Sequence, residues 1–365
     1  MMADDASASA RATHEIRLVQ PADLPSVCKL LPELDGDGYD QRFPGQTCAD
    51  FIQWKYFSNP AGDAAVGVAL DGERVVSIVA GTPKRVRRGS ETVLAFELGD
   101  FITAADHRKR GLFSALINLV CDAAQQRGAA FVYVRPNEMS FPILASRLAF
   151  TEPGQIESRH YTQLSSAIAR KLGAPEALTR ALGVDAVARK LAVPRASAAV
   201  RVESIDGFGD EVDQLWMRTR DLYSFCLVRD RQYLNWRYAD CPTPYRRWVA
   251  RRNGDLAGYL VAFVSSRQPI ATILDLFTHP EDEEAAAALL GGALDEMLRT
   301  GTQAIYTWTL HAGPEIAASR LLKRACALVQ KPLLHFAMRP LMQQMRYQGL
   351  PASGRHVAAG DFDGF

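Results

Sequence analysis

The chain has 365 residues, 48% hydrophobic and 23% charged, too many for one ordinary domain and suited to two. That composition excludes a disordered polymer, a collagen-like fibre and a disulfide-stapled miniprotein. Basic and acidic residues nearly cancel, 42 against 41, so a general binder of phosphate backbones is excluded and any electropositive site must be local.

Residues 1–13 are rich in Ala, Ser and Asp, without an apolar run of leader length, and are expected to be disordered. A first module is expected over 14–163. It opens with a strand at 15–19, a helix at 21–34 and a helix carrying Phe51-Ile52-Gln53-Trp54-Lys55-Tyr56 into a Pro60 turn. Antiparallel strands follow at 65–70, 74–86 and 92–103, the first pair joined by the hairpin dipeptide Asp71-Gly72. Then come a long helix at 111–127, a strand at 130–134 and a shorter helix.

Residues 164–198 are Ala-, Leu- and Arg-rich, broken at Gly173-Ala174-Pro175 and Gly183. They are expected to be a linker of two short amphipathic helices that pack across the seam or, with Arg170, Lys171, Arg180, Arg189 and Lys190, meet a membrane surface. A second module over 199–345 repeats the first. Tyr233-Leu234-Asn235-Trp236-Arg237-Tyr238 echoes the Trp54 segment, and Asn253-Gly254 echoes Asp71-Gly72. Asp275-Leu276-Phe277-Thr278 echoes Asp100-Phe101-Ile102-Thr103, and Ala318-Ser319-Arg320-Leu321 echoes Ala145-Ser146-Arg147-Leu148. Its strands are expected at 199–203, 247–252, 256–265, 271–278 and 304–309, with helices at 210–223 and 283–300. A tail, 346–365, is expected as an edge strand or a flexible end. Antiparallel strands, helix, strand, helix, twice over, is an α+β class of two tandem modules, each a mixed, mostly antiparallel sheet flanked by helices.

The six cysteines form no C-x-x-C pair and the seven histidines are dispersed, so no metal site is expected, and the thiols read as mostly free in a reducing compartment, the cytoplasm. No apolar stretch is long enough to span a bilayer. Nothing fixes the oligomeric state. Chemistry concentrates in 96–116, where a strand ends, His107-Arg108-Lys109-Arg110 turns, and Gly111-Leu112-Phe113-Ser114 opens a helix. Amides at a helix start, the helix dipole and local cations together make a phosphate cradle, and glycine permits close backbone approach.

Arg108-x-x-Gly111 before a long helix, followed by Pro136-Asn137-Glu138-Met139-Ser140-Phe141-Pro142 and Leu148-Ala149-Phe150, resembles the GNAT superfamily of acyl-CoA-dependent N-acyltransferases, in a tandem two-module form. Phe113 and Ala149 depart from the small residue and the glycine usual there. The resemblance implies that Phe101, Ile102, Thr103, Arg108, Lys109, Arg110, Gly111, Leu112, Phe113, Ser114 and Asn137 hold acetyl-CoA or another acyl-CoA. It further implies a small amine-bearing acceptor, such as an amino sugar or other metabolite, acylated by direct transfer.

In that family a glutamate base commonly stands on the fourth strand. Eleven residues before Arg108 is Glu97, expected to be partly desolvated with a raised pKa. The oxyanion donor would be a main-chain N–H near 101–103, where family members bulge this strand. The usual acid, a tyrosine, is missing around Leu144-Ala145, which leaves Tyr133, Tyr161, His160 or water; Tyr133 is taken as the candidate. By strand alternation Asp100 faces away from Glu97 and is assigned to structure.

In the second module His279-Pro280-Glu281-Asp282-Glu283-Glu284 replaces the basic turn, so that module is expected not to bind CoA and to complete the acceptor cleft instead. The cluster of Arg229, Asp230, Tyr233, Trp236, Arg237, Tyr238 and Tyr245 reads as a shared scaffold or as a sugar-stacking surface. No nucleic-acid partner is expected. Two other functions fit the sequence: a non-catalytic CoA-binding scaffold, and an aminoacyl transferase of the FemAB type using aminoacyl-tRNA.

Overall fold

In a computed structural model, residues 14–31, 47–185, 187, 199–310, 316–342 and 355–362 are described. The expected N-terminal disorder, the end of the first long helix segment, all of 188–198 and parts of the tail lie outside these residues.

The first half contributes β1 (Glu15–Leu18), β2 (Ala65–Asp71), β3 (Arg74–Arg88), β4 (Glu91–Thr103), β5 (Phe131–Val134) and β6 (Thr151–Thr162). The second contributes β7 (Val200–Ser204), β8 (Phe225–Leu227), β9 (Tyr245–Arg252), β10 (Asp255–Val264), β11 (Ile270–Thr278), β12 (Ala304–Leu310), β13 (Leu328–Val329) and β14 (Leu334–Pro340). All belong to one sheet, ordered β1-β2-β3-β4-β5-β14-β6-β12-β11-β10-β9-β7, with β13 against β6 and β8 against β3.

The halves exchange strands. In the first, β4 and β5 run parallel and β14, from the far end of the chain, pairs antiparallel with β5. In the second, β11 and β12 run parallel and β6 pairs antiparallel with β12 from Ala304↔Thr162 to Leu310↔Ile156. Where the two exchanged strands meet, β14 pairs with β6, Leu334 opposite Ile156 and Phe336 opposite Gly154. Backbone groups that two separate sheets would leave bare on β5 and β12 are thereby paired, and neither inner edge is open to a foreign strand.

Helices cover the sheet where the apolar stripe demands it. Helix Leu112–Gln126 buries Leu112, Leu116, Ile117, Val120, Cys121, Ala123 and Ala124 on one face. It lies so close to the sheet that a Cβ on Gly81 would come within 2.7 Å of the Val120 side chain. Helix Glu283–Arg299 does the same in the second half, burying Ala285 to Leu290, Ala293, Leu294 and Met297. The linker forms helices Leu164–Leu172 and Glu176–Ala181, as expected, broken at Gly173. Leu172, Leu178, Leu182 and Val187 are exposed, while Ser165, Ala169 and Thr179 are buried. All six cysteines are free, and all but Cys28 are buried.

The repeated tryptophan segments meet. Trp54 and Trp236 stack with ring centroids 5.1 Å apart and planes within 19°. Each indole N–H donates to the other's main-chain carbonyl, at 2.6 and 3.1 Å. Arg229, Tyr233, Trp236, Arg237, Tyr238 and Tyr245 are all buried, so this cluster is scaffold and not a surface for a sugar.

Because each indole satisfies the other's backbone, Trp54→Ala and Trp236→Ala are each expected to cost about 3–5 kcal/mol. The double variant should cost less than their sum, by about 0.5–3 kcal/mol. Urea denaturation of the three variants measures the coupling, and simple additivity would show that the pair is not one unit.

Candidate active site

The parallel pairing of β4 with β5 holds only from Ala95↔Phe131 to Glu97↔Tyr133; β4 then runs on to Thr103 paired with β3 alone, and the strands part. Into the gap opens a cavity of about 210 Å³ lined by Lys55, Glu97 to Phe101, Val134 to Asn137, Ser140, Trp308 and Phe362. Two elements of the second half therefore close it: β12 through Trp308, and the tail through Phe362.

A bulge in β4 decides which side chains enter. Its register against β3 slips between Ile78↔Ile102 and Ala80↔Gly99, so Asp100 and Phe101 together face one residue, Val79. Asp100 takes a left-handed φ of 52°. The extra residue reverses the alternation, and Asp100, expected on the face opposite Glu97, lines the same cavity. A Cβ on Gly99 would lie 3.7 Å from Glu97 Oε1 and 3.9 Å from Lys55 Nζ, so both groups converge there. Lys55 Nζ donates to both Asp100 oxygens at 3.0 and 2.8 Å, and the Tyr56 hydroxyl donates to Oδ2 at 2.6 Å. Asp100 thus neutralises a lysine that is only 3% exposed. Glu97 is buried and accepts from the Thr82 hydroxyl at 3.2 Å.

Arg135 follows β5 and extends its guanidinium over the Trp308 ring, 4.9 Å from the centroid. Burial lowers its pKa, and the nearby Glu97 charge works the other way.

Beyond the end of β4 lies the basic turn. Gly111, at φ 80°, is the residue from which helix Leu112–Gln126 starts, and no atom lies within 4 Å of where its Cβ would be. Space for an anion is therefore open beside amides that a helix start leaves unpaired. Arg108, Lys109 and Arg110 are exposed; Arg108 Nε donates to Thr103 O at 3.1 Å and Arg110 to Asp106 O at 3.1 Å, which shapes the turn. His107 is not part of the basic surface. It is buried, hydrogen-bonded to His14 at 2.8 Å, and anchors the loop.

Phe113 turns its ring edge-on to Phe101, centroids 5.3 Å apart, and Ser114 follows half-buried. Ile102 is buried, with its carbonyl taking the Ser77 hydroxyl at 3.0 Å, and Thr103 bonds Ser77 Oγ at 2.7 Å. Asn137 lines the cavity mouth while its Oδ1 accepts from the amides of Met139 and Ser140 and from the Ser140 hydroxyl. Ala149, where glycine is usual, has φ 57°, the conformation that explains the glycine.

Tyr133 sits apart from this group. Its ring packs among Phe131, Phe336 and Phe362, and its hydroxyl donates to the Asp361 carbonyl at 3.0 Å. Its proton is engaged in fastening the tail. His160, on β6, packs its ring against Tyr306 away from the cavity, and burial lowers its pKa.

The matching region of the second half is filled by the chain itself. Residues 356–362, part of the tail expected as an edge strand or a loose end, are buried against β11 and β12. His356 Nε2 bonds Asp275 Oδ1 at 2.9 Å, Arg229 pairs with Asp275 at 3.0 Å and with Asp361 at 2.7 Å, and Arg237 donates to the carbonyls of Gly360 and Phe362. Burial pushes both carboxyls up. Arg229, His356 and Tyr259 outweigh that for Asp275 and hold it below the ordinary carboxylate range, while Asp361 stays raised. At the start of helix Glu283–Arg299, Asp282 accepts from the Ala285 amide and pairs with Arg252, which also reaches Glu284. The position of a phosphate there is taken by the protein's own carboxylate.

Lys55, Arg135, Trp308 and Phe362 are site residues that sequence reasoning missed. Lys55 was visible only as part of the tryptophan repeat, and Arg135 only as the residue before Pro136-Asn137. Among the described residues no group of His, Cys, Asp or Glu is placed to hold a metal ion, and no helix is long and apolar enough to cross a membrane.

Residues 15–144 match the acetyltransferase (GNAT) domain family. No curated protein matches the sequence. Among solved structures, the fold is similar to that of a probable N-acyltransferase from Enterococcus faecalis (14% identity, TM-score 0.63, 92% of this chain and 75% of that one). It is also similar to a GCN5-related N-acetyltransferase from Anabaena variabilis (11%, 0.59, 90% and 73%). A tandem GNAT protein from the clavulanic acid pathway, at 15% identity and TM-score 0.58, is matched over 90% of this chain and 99% of its own.

Replacing Asp100 by Ala strands the Lys55 ammonium without its buried partner, and about 3–5 kcal/mol of stability is expected to be lost. Lys55→Met combined with Asp100→Ala should recover part of it. Urea denaturation at constant pH checks both, and equal stability of the single variant and wild type would overturn the assignment.

Proposed function

We propose that this chain, a tandem GNAT protein with an acetyltransferase domain in its first half, moves an acetyl or other acyl group from acyl-CoA to a primary amine of a small metabolite. The observation that carries the reading is the parting of β4 and β5, with Glu97 buried at its base and the Gly111 turn open at its end. Acyl-CoA supplies the activated thioester. In this reading the turn at Arg108 to Ser114 holds its phosphates, and Phe101, Ile102, Thr103 and Asn137 border the path toward Glu97.

Glu97 is the proposed base. An amine is protonated at neutral pH and must lose a proton before it attacks. Held against the Thr82 hydroxyl, the Glu97 carboxylate can take that proton. The new N–C bond forms as the C–S bond breaks; the nitrogen's second proton goes to the departing thiolate, and Glu97 returns the first to solvent. Bulging β4 at Asp100 and Phe101 frees main chain from the ladder beside the reacting carbonyl, the place for an N–H donor. Tyr133, committed to the tail, is assigned no proton transfer. The second half contributes walls, Trp308 and Phe362, and in this reading holds no second CoA site.

Isothermal titration of acetyl-CoA tests the first part: micromolar binding to wild type and its loss in Gly111→Glu are expected. No binding of acetyl-CoA, CoA or longer acyl-CoAs would overturn the reading. For the chemistry, Glu97→Gln should lower kcat about 10²–10⁴-fold with acyl-CoA affinity unchanged. Unaltered turnover would remove Glu97 from the mechanism.

A further inference from the structure

The bulge of β4 rests on a residue in an unfavoured conformation. Where two bulged residues face one, a left-handed position is commonly filled by glycine. Here the φ of 52° falls on Asp100, and glycine stands one place earlier, at Gly99. Aspartate enters that region more readily than most side chains, yet it stays only where its surroundings hold it. Three hydrogen bonds do so: Lys55 Nζ reaches both carboxylate oxygens and the Tyr56 hydroxyl donates to Oδ2, all between 2.6 and 3.0 Å. Both donors are buried and belong to one wide, π-type helical turn, Gln53–Phe57. Trp54 of the same turn is tied to Trp236 by two hydrogen bonds, which gives the donors a rigid base.

The second half offers the comparison. There β11 also slips register, between Val261↔Asp275 and Ala262↔Ile273, but Asp275 keeps a negative φ. Arg237, in the place of Lys55, fastens the tail through the carbonyls of Gly360 and Phe362, and Asp275 is held by Arg229, His356 and Tyr259. The left-handed aspartate and its clamp from the tryptophan segment thus occur together, beside the cavity that stays open.

A strained residue that its neighbours over-determine marks a place where conformation is used. We propose that Lys55 and Tyr56 are positioning residues for acyl transfer. By clamping Asp100 they keep the bulge in the shape from which a main-chain N–H takes up the charge gathering on the thioester oxygen as the amine attacks. This rests on the acyltransferase reading and adds two residues to it, neither of which need touch the acyl group. Such a donor is effective because it is fixed before the charge appears. With the clamp released, Asp100 relaxes toward a negative φ and the donor turns away.

The test needs only acetyl-CoA and the full-length chain. Acetyl-CoA carrying carbon-13 at the acetyl carbonyl is bound, and its C=O stretch is read by isotope-edited infrared spectroscopy, after calorimetry has given each variant's affinity. In wild type the stretch is expected at lower frequency than in free acetyl-CoA, the signature of a carbonyl polarised by a fixed N–H. Lys55→Met with Asp100→Ala removes both charges together and leaves a residue that disfavours positive φ; the lowering should vanish with affinity unchanged. Lys55→Met with Asp100→Gly removes the same charges but frees the backbone to adopt the left-handed conformation, and should restore much of it. With any amine that wild type acetylates, kcat should fall about 10²–10³-fold for the alanine pair, KM for acetyl-CoA unaltered, and recover in part for the glycine pair.

Alanine and glycine pairs that both match wild type would overturn the proposal, since the clamp would then serve stability alone. Equal impairment of the two would overturn it as well, since the side chains would then act directly. If the alanine pair does not fold, Tyr56→Phe decides, because it keeps the ion pair: a weakened lowering supports the clamp, and an unchanged stretch sinks it. Failure of acetyl-CoA to bind strikes the acyltransferase reading and this proposal with it, whereas binding without a lowered stretch in wild type strikes this proposal alone.

Discussion

The free edge of β5 sets the main constraint on this molecule. A strand parallel to β4 on one side needs a hydrogen-bonding partner on the other, and the chain supplies it from near its end, with β14. The second half has the same need at β12 and meets it with β6. Once β14 and β6 have crossed they pair with each other, and two five-stranded units become one sheet. The tryptophan pair performs the same task away from the sheet, each indole satisfying a carbonyl of the other half. Neither half has a complete set of backbone partners alone.

That exchange also accounts for the asymmetry of the two clefts. Both halves part their parallel strands, and both place an aspartate at the divergence, Asp100 and Asp275. In the first, Asp100 is neutralised by Lys55 and the space beside it stays open. In the second, Arg229 and His356 converge on Asp275, and the tail that carries His356 and Asp361 fills the gap. The helix starts diverge likewise: Gly111 leaves its amides beside open space, whereas Asp282 caps its own helix. One tail thus seals the second cleft and, through Phe362, becomes a wall of the first. Arg237 and Tyr133 hold it there from opposite halves.

Most of the elements were legible because they obey local rules. Strands 65–70, 74–86, 256–265 and 271–278 alternate or run apolar between turn dipeptides, and they appear within a few residues of those bounds. The basic turn and the helix after Gly111 were readable for the same reason. The strands that join the halves were not. Residues Thr151–Thr162 carry Pro153, Gly154 and several charges, and Leu334–Pro340 ends in proline, features that count against a central strand. They are tolerated because β14 slips register against β6 between Phe336 and Met338, opposite the proline.

Sequence alone determined the α+β class, and it singled out the repeat, the basic turn before the long helix of the first half, the acidic turn in its place in the second, and Glu97 as the residue to test, since these depend on neighbours in the chain. Only the tertiary structure decided that Asp100 shares a face with Glu97, because one bulged residue inverts every side chain beyond it. Only it joined Arg135 to Trp308, and placed Phe362 at the cavity and Tyr133 against the tail, because those contacts span up to 228 residues and carry no local pattern. Which groups meet in a cleft is a property of everything packed around it, and no stretch of sequence contains it.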